Sequence, residues 1–285
     1  MREDLAPAGK SAKDVLKYIK YMNETLDIYH KFVANPPIND KAITPAMRIS
    51  LRVINALPQS DIFHPFLLKL AMKFDFGLTT NSTAYERILK TVETFSVRHM
   101  ICGTFKKSDV EDVFAKAIRG FKKQQYTISA ILEYLNGNMP SDREFKDSFS
   151  KFSFKRGNTN ICKALLRRLE ATCNDGKSEE LSDDSRKITL EHIMPKTIKN
   201  AKGWGHVAGY HQKYLWWIGN LTLLSDKLNK GNSSFHHKQV NYYEHSLLTL
   251  TKRLKVHKTW NKKQIRTRQK QMANGAVLTW PRKLN

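Results

Sequence analysis

The sequence lacks long hydrophobic runs and is poor in cysteine, with three cysteines among 285 residues. No run of about 18 apolar residues occurs, so no membrane span is predicted. The N-terminal segment carries charges throughout and does not show the arrangement of regions that defines a signal peptide, so no secretory leader is predicted. The cysteines, Cys102, Cys162 and Cys173, are far apart and form no Cys-x-x-Cys pair. Such spacing is typical of reduced thiols, and we therefore expect a cytoplasmic protein without a cysteine-based zinc site.

Acidic residues are scarce, above all toward the C-terminus. The formal net charge is +23 and the isoelectric point is near 9.9. Residues 186–285 hold 20 of the 49 Lys and Arg residues but 3 of the 26 acidic ones, and so carry a net charge of +17. An excess of this size predicts a polyphosphate partner, with nucleic acid favoured over an anionic membrane surface.

The first 173 residues show apolar residues at helical spacing between short Pro, Gly and Asn breaks. Two Ser-x-x-Glu patterns, at Ser108–Glu111 and Ser141–Glu144, predict capping boxes at the starts of helices. We therefore predict an all-helical adaptor domain over 1–173. Its predicted helices cover 12–33, 45–57, 63–74, 83–102, 108–123, 127–135 and 160–172, with a further helix starting at 141.

Residues 174–186 interrupt the helical pattern with five acidic residues and a single large apolar residue, Leu181. This composition predicts an acidic surface linker. Beyond it the apolar period changes toward two, which indicates strands. We predict strands over 188–195 and 216–224, then a helix capped by Ser225 or Asp226, a long helix over 235–254 and a last basic helix over 260–272.

The strand at 188–195 carries Glu191 and His192 side by side. Phosphodiester hydrolysis needs a base for water and a cation for the developing charge; a neutral histidine suits the first role, and carboxylate and amide oxygens suit a hard divalent cation. Neighbouring strand residues point to opposite faces, so both can serve one site only if a bulge or the strand end near Pro195 redirects one of them. Asn229, on the helix after the second strand, could then face the same point. This strand–loop–strand–helix order is the ββα-metal, or HNH, arrangement.

Three motifs carry a resemblance to a known family. Glu-His-Ile-Met-Pro at 191–195 and the Asn-x8-Asn spacing from Asn220 to Asn229 are similar to HNH nucleases, including those of RNA-guided CRISPR enzymes. Together with Ile-Gly-Asn-Leu-Thr-Leu-Leu at 218–224 and Asn-Lys-Gly-Asn-Ser-Ser-Phe at 229–235, they resemble the C-terminal nuclease domain of GmrSD-type, SspE-like proteins. Those are modification-dependent restriction and phage-defence proteins.

The resemblance implies roles for individual residues. His192 would be the general base, Glu191 and Asn229 metal ligands, and Asn220 the residue that pins the hairpin and orients the histidine. Lys238 would contact phosphate or stabilise the transition state. The implied cofactor is Mg²⁺, with Mn²⁺ as an alternative. The chain has no Gly-rich phosphate loop, so the family's N-terminal NTPase or sensor domain would be a separate or missing partner.

The expected fold is mostly α with a small α+β part: an N-terminal helical bundle followed by an HNH-type nuclease domain over 187–285. The expected function is a metal-dependent DNA endonuclease or nickase in restriction or phage defence. A nucleic-acid-binding module with an inactive or partner-gated nuclease fold, and a nuclease acting on RNA, are the alternatives. Trp216 and Trp217 are interpreted as packing residues, with base-stacking as the alternative. One of His206 and His211 could join the site, and His236 and His237 are interpreted as facing solvent or DNA, with a metal role as the weaker alternative. Predicted nucleic-acid contacts come from seven basic residues: Lys196, Lys230, Lys252, Arg253, Lys262, Lys263 and Arg266.

Overall fold

A computed structural model describes residues 11–34, 43–74, 82–122, 127–173, 187–198, 204, 207–228 and 233–283. The predicted acidic linker 174–186 lies outside these ranges, as do Asn229, Lys230 and His206. None of the described helices is both long and apolar enough to cross a membrane.

The described chain is mostly helical with one two-stranded sheet, so the coarse fold class is confirmed. The predicted helices of the N-terminal part are all present, with ends that differ by a few residues. The helices are α1 (Ala12–Tyr29), α2 (Pro45–Ala56), α3 (His64–Phe74), α4 (Ser82–Cys102), α5 (Lys107–Lys122), α6 (Ile128–Gly137), α7 (Asp142–Phe149), α8 (Thr159–Cys173), α9 (His211–Tyr214), α10 (Phe235–Lys238), α11 (Thr249–Lys252) and α12 (Lys262–Thr279).

One of the two predicted capping boxes is confirmed and the other is wrong. At α7, the Ser141 hydroxyl accepts from the Glu144 N–H while the Glu144 carboxylate accepts from the Ser141 N–H. At α5, the helix begins before Ser108, because the Val110 N–H already donates to the carbonyl of Lys106. Ser108 therefore lies inside the first turn, where its hydroxyl donates to the neighbouring Asp109 carboxylate.

The sheet is a hairpin of β1 (Ile188–His192) and β2 (Leu221–Ser225), paired antiparallel. The second strand begins later than the predicted 216, because Ile218–Asn220 forms a 3₁₀ turn before it. β1 ends at His192, before Pro195, as a strand preceding a proline tends to do.

The single helix predicted over 235–254 is wrong. After α10 the chain forms a π-helical turn over Gln239–Tyr243, and α11 then starts anew at Thr249. Glu170 in α8 causes the restart, since its carboxylate accepts from the N–H groups of Thr249 and Leu250 at 2.5 and 2.8 Å. The last helix is α12, which begins at Lys262 and extends to Thr279, beyond the predicted end at 272.

Two apolar clusters flank the hairpin. The larger one contains the helices of the N-terminal part, Leu190 of β1 and the C-terminal half of α12; the smaller contains Ile193, Leu224 and Tyr243. The end of α12 is tied to α4 by polar contacts: the Trp280 indole donates to Glu93 at 2.6 Å, and the buried Arg98 donates to the Trp280 carbonyl. The division into an adaptor and a nuclease domain stays a prediction, since α12 packs on α7, α8 and the turn before β2 alike.

Candidate active site

Glu191 and His192 lie on opposite faces of the hairpin. In the register, Glu191 pairs with Thr222 and His192 with Leu221. The Glu191 carboxylate contacts Lys238 and Tyr243, while the His192 ring packs against Trp216. The alternation expected of a regular strand therefore holds through the end of β1, and no bulge brings the two side chains together.

Glu191 is held by a buried lysine. Its Oε1 accepts from Lys238 Nζ at 2.6 Å and from the Tyr243 hydroxyl at 3.2 Å, and Glu191 and Lys238 are only 6% and 1% exposed. Lys238 Nζ also donates to the His192 carbonyl at 2.9 Å. Burial raises the pKa of Glu191 and lowers the pKa of Lys238, and the charge of each opposes the shift of the other. Each group therefore depends on the charge of its partner to remain ionised in the protein interior.

Lys238 was predicted to contact phosphate. The structure instead directs its ammonium inward, where it links the carboxylate of β1 to the carbonyls at the end of that strand. It is placed there because Ser234 caps α10, with its hydroxyl accepting from the His237 N–H. In this structure Lys238 thus helps to position the end of β1.

His192 is enclosed and neutral. Its ring centroid lies 4.7 Å from that of Trp216 in an edge-to-face contact. Burial, and then the positive charges of Lys196, Lys238 and His211, lower the pKa of His192 to about 3. Its Nε2 is buried and has no hydrogen-bond partner among the described residues. A neutral imidazole with an unused ring nitrogen is able to accept a proton, although burial in this enclosed arrangement opposes the charge that results.

Asn220 fastens the segment that follows β1. Its Oδ1 accepts from the Met194 N–H at 2.9 Å, and its Nδ2 donates to the carbonyls of Met194 and Leu215 at 3.1 and 3.2 Å. The Trp260 indole also donates to Oδ1, and the Ile193 N–H donates to the Asn220 carbonyl. These bonds use the whole amide of a side chain with no exposed surface, as the predicted pinning role requires.

Two further side chains support the same segment: His211, which the sequence offered as a candidate for the site, and Arg268, which it did not. His211 Nε2 lies 2.8 Å from the Pro195 carbonyl, so it donates there in its Nε2–H tautomer. Arg268 is buried and donates to the carbonyls of Gly219 and Leu221 at 3.0 and 2.7 Å. Its position three residues after Ile265, a buried apolar residue, was the available signal that it faces inward.

Gly219 allows α12 to approach this turn closely. Its N–H donates to Gln269 Oε1 at 2.6 Å, and a Cβ at this position would lie 3.0 Å from the Gln269 backbone nitrogen and closer still to the Ile265 carbonyl. Two backbones meet here, so neither can move aside as a flexible side chain would. A glycine is therefore required here because a side chain would clash with the backbone of α12, and not because of an unusual backbone angle.

Gly219→Ala should destabilise the protein by about 1–3 kcal/mol, because the added methyl group pushes α12 away from the turn that carries Asn220. Gly275→Ala is the matched control. Gly275 lies in α12, and a Cβ added there meets nothing within 4 Å. That change should instead stabilise by about 0.5–1 kcal/mol through helix propensity. Urea unfolding followed by circular dichroism measures both, and equal midpoints for the two variants would contradict the close approach.

The described residues do not by themselves fit a divalent cation. Glu191, the predicted ligand, already faces the ammonium of Lys238, and its predicted partner Asn229 lies outside the described residues. Across the described ranges, no group of three or more His, Cys, Asp or Glu side chains could hold a metal ion. Within this structure the lysine supplies the positive charge beside Glu191.

The predicted nucleic-acid contacts within the described ranges are all exposed. These residues are Lys196, Lys252, Arg253, Lys262, Lys263 and Arg266. The first is in the segment that follows His192, and the other five lie in or next to α11 and α12. Lys230 lies outside the described residues.

A restriction-endonuclease type of nuclease domain is identified by comparison with known families. Residues 139–274 match the family described as GmrSD restriction endonucleases, C-terminal domain. This segment is therefore similar to the GmrSD C-terminal family, which confirms the resemblance seen in the motifs. It includes α7, α8, the hairpin and most of α12, so it begins well before the predicted linker. No curated protein matches the chain.

Proposed function

We propose that the chain is a DNA endonuclease in which His192 is the general base. One observation carries the assignment: His192 is a neutral imidazole whose Nε2 is buried and lacks a partner among the described residues. An unsatisfied polar atom in a protein interior is unfavourable, and its retention beside a basic surface is consistent with a catalytic role.

The chemistry follows from the groups around His192. A water molecule attacks phosphorus while the imidazole takes its proton, and the bond from phosphorus to the leaving sugar oxygen breaks, with that oxygen protonated by solvent. The exposed Lys196 adds positive charge near the ring, which attracts the phosphodiester. Asn220 and Lys238 act indirectly, by fixing the strand end that carries the base.

Mg²⁺ or Mn²⁺ as cofactor stays a prediction that depends on Asn229 and on release of Glu191 from Lys238. Supercoiled plasmid and a structured RNA, each incubated with Mg²⁺ and with EDTA, test the substrate and the cofactor together. We expect cleavage of plasmid, loss of cleavage in EDTA, and weaker metal dependence after Asn229→Ala. Preferred cleavage of the RNA would favour the RNA-directed alternative, and undiminished cleavage in EDTA would contradict the metal requirement.

A partner-gated nuclease is the second candidate, because His192 is only 5% exposed and the Glu191 carboxylate is already paired. A gated enzyme would hold both groups in this enclosed arrangement until another domain or subunit acts on it. A purified chain that binds plasmid DNA but does not cut it at any Mg²⁺ or Mn²⁺ concentration would support this candidate. A role in restriction or phage defence suits both candidates, since such an enzyme needs control over when it cuts.

DNA binding should depend steeply on salt through α12. Replacing Lys262, Lys263 and Arg266 together with alanine should weaken binding to all sequences and reduce the slope of log K against log salt by about 0.9 per lost phosphate contact. Removing the three exposed lysines of α1, Lys13, Lys17 and Lys20, is the control of equal charge. Equal effects of the two triple variants would show that net charge, and not the α12 surface, governs binding.

A further inference from the structure

Three lysines each lie against an aromatic ring in the region that follows His192. Lys196 Nζ lies 5.5 Å from the Trp216 ring centroid, Lys213 Nζ lies 5.9 Å from that of Tyr214, and Lys262 Nζ lies 5.9 Å from that of Tyr210. We call the residues Lys196, Tyr210, Lys213, Trp216, Trp217 and Lys262 the aromatic–lysine surface.

Tyr210 and Trp217 of this surface each contact the ring of Tyr214. The ring centroids of Tyr210 and Tyr214 are 6.0 Å apart, and those of Tyr214 and Trp217 are 4.6 Å apart. Tyr214 is buried beneath the row, while Tyr210, Trp216 and Trp217 remain partly exposed. Trp216 touches the His192 ring and precedes Trp217 in the chain, so it is the ring of this surface that borders the proposed base.

The two tryptophans stand on a fixed backbone. The Phe154 N–H donates to the Trp216 carbonyl at 2.9 Å, and the Asn220 N–H donates to the Trp217 carbonyl at 2.8 Å. Ser153 pairs with Trp217 in an isolated antiparallel bridge. The same peptide segment thus carries the aromatic rings and the asparagine that pins the strand end, which sets their distance from His192.

Tryptophan and tyrosine rings bury large apolar areas when they pack fully, and three of them stay partly exposed beside three exposed lysines. Such a surface suits nucleotides whose bases are free to stack on rings while lysines hold the phosphates. Duplex DNA offers phosphates but keeps its bases stacked on each other. Only unpaired nucleotides can use both parts of the surface.

We propose that the aromatic–lysine surface binds a short unpaired stretch of DNA next to the phosphodiester that His192 attacks. The proposal rests on the nuclease function given above and names its substrate class: DNA with unpaired nucleotides at the cleavage point, such as a flap, a gap or a locally opened duplex. Trp216 and Trp217, interpreted from the sequence as packing residues, become binding residues as well.

Binding is measured separately from cleavage, in His192→Gln, which keeps a polar side chain of moderate size against Trp216. Fluorescence anisotropy compares a labelled single-stranded oligothymidine, a duplex of equal length, and a single strand with abasic sites in place of its bases. We expect the oligothymidine to bind about 10- to 100-fold more tightly than the abasic strand, since each stacked base contributes about 1–3 kcal/mol. Equal affinities for these two strands, which carry the same phosphates, would overturn the proposal without using any surface mutation.

Trp217→Ala should remove most of the preference for the oligothymidine and leave duplex affinity within about 2-fold. Trp217→Phe should retain the preference, and this variant guards against a loss of folding. Tyr21→Ala is the matched control, because Tyr21 is 42% exposed on α1. Equal losses for single strand and duplex would show that Trp217 has a structural role only.

Tighter binding of oligouridine than oligothymidine would reassign the surface to RNA and overturn the proposal. These outcomes are independent of the nuclease assignment. If the wild-type chain cuts no substrate while the stacking preference holds, the proposed function fails and the binding site stands.

Discussion

His192→Ala is expected to lower the rate of plasmid cleavage by about 10²- to 10⁴-fold, the range that a general base contributes. The variant should bind plasmid DNA within about 2-fold of the wild type. His192 is enclosed, and its Nε2 makes no hydrogen bond within the described residues, so its side chain offers little surface to DNA. Loss of cleavage with binding retained separates a catalytic group from a binding group. Quantified gels of supercoiled, nicked and linear plasmid provide the measurement.

The matched control for this variant is His236→Ala, which removes an exposed histidine on α10. Its cleavage rate should stay within about 2-fold of the wild-type rate. If cleavage by His192→Ala in a clean preparation equals that of the wild type, His192 is not the base, and the Nε2 atom without a partner needs another explanation.

Lys238→Met is expected to destabilise the protein by about 3–5 kcal/mol, the cost of removing one member of a buried ion pair. The change leaves the Glu191 carboxylate enclosed with the Tyr243 hydroxyl as its remaining side-chain partner. It also removes the donor to the His192 and Ile193 carbonyls, which frees the end of β1. Urea unfolding monitored by circular dichroism and by tryptophan fluorescence measures the loss.

Two controls interpret this loss. Glu191→Leu combined with Lys238→Met removes both charges and should recover most of the stability, since a well-packed apolar pair can replace a buried ion pair. Lys252→Met, at an exposed position on α11, should change stability by less than about 0.5 kcal/mol. If Lys238→Met is as stable as Lys252→Met, Lys238 does not hold Glu191 in solution, and the carboxylate is free to bind another cation.

Local patterns were sufficient for most helices and for the hairpin. The Ser141–Glu144 box marked the start of α7 because both of its hydrogen bonds form within four residues. The alternation of β1 likewise predicted that Glu191 and His192 face opposite ways, and the structure has them so. In each case the deciding interaction lies within the element or in its immediate partner strand.

Errors arose where a distant residue decides the local structure. The apolar spacing over 235–254 favours one helix, but Glu170 binds the backbone at Thr249, some 79 residues along the chain, and starts a new one. Gln239 contributes as well, because its side chain donates to the carbonyls of Lys255 and His257 across the break. Lys238 is the same kind of case: its sequence neighbourhood is basic and polar, and only the fold brings it to Glu191. The periodicity of a local sequence segment cannot predict such long-range contacts.

The position of α12 at the end of the described chain has a consequence for biosynthesis. Gly219, Asn220 and the start of β2 are held by Ile265, Arg268 and Gln269, so the proposed catalytic hairpin cannot be completed before these residues leave the ribosome. Domains begin to form during synthesis, at about 5–20 residues per second, whereas this hairpin must wait for α12, which follows it in the chain. A nascent chain that lacks α12 would therefore carry His192 without the support that positions it, which delays completion of the proposed active site until α12 has been made.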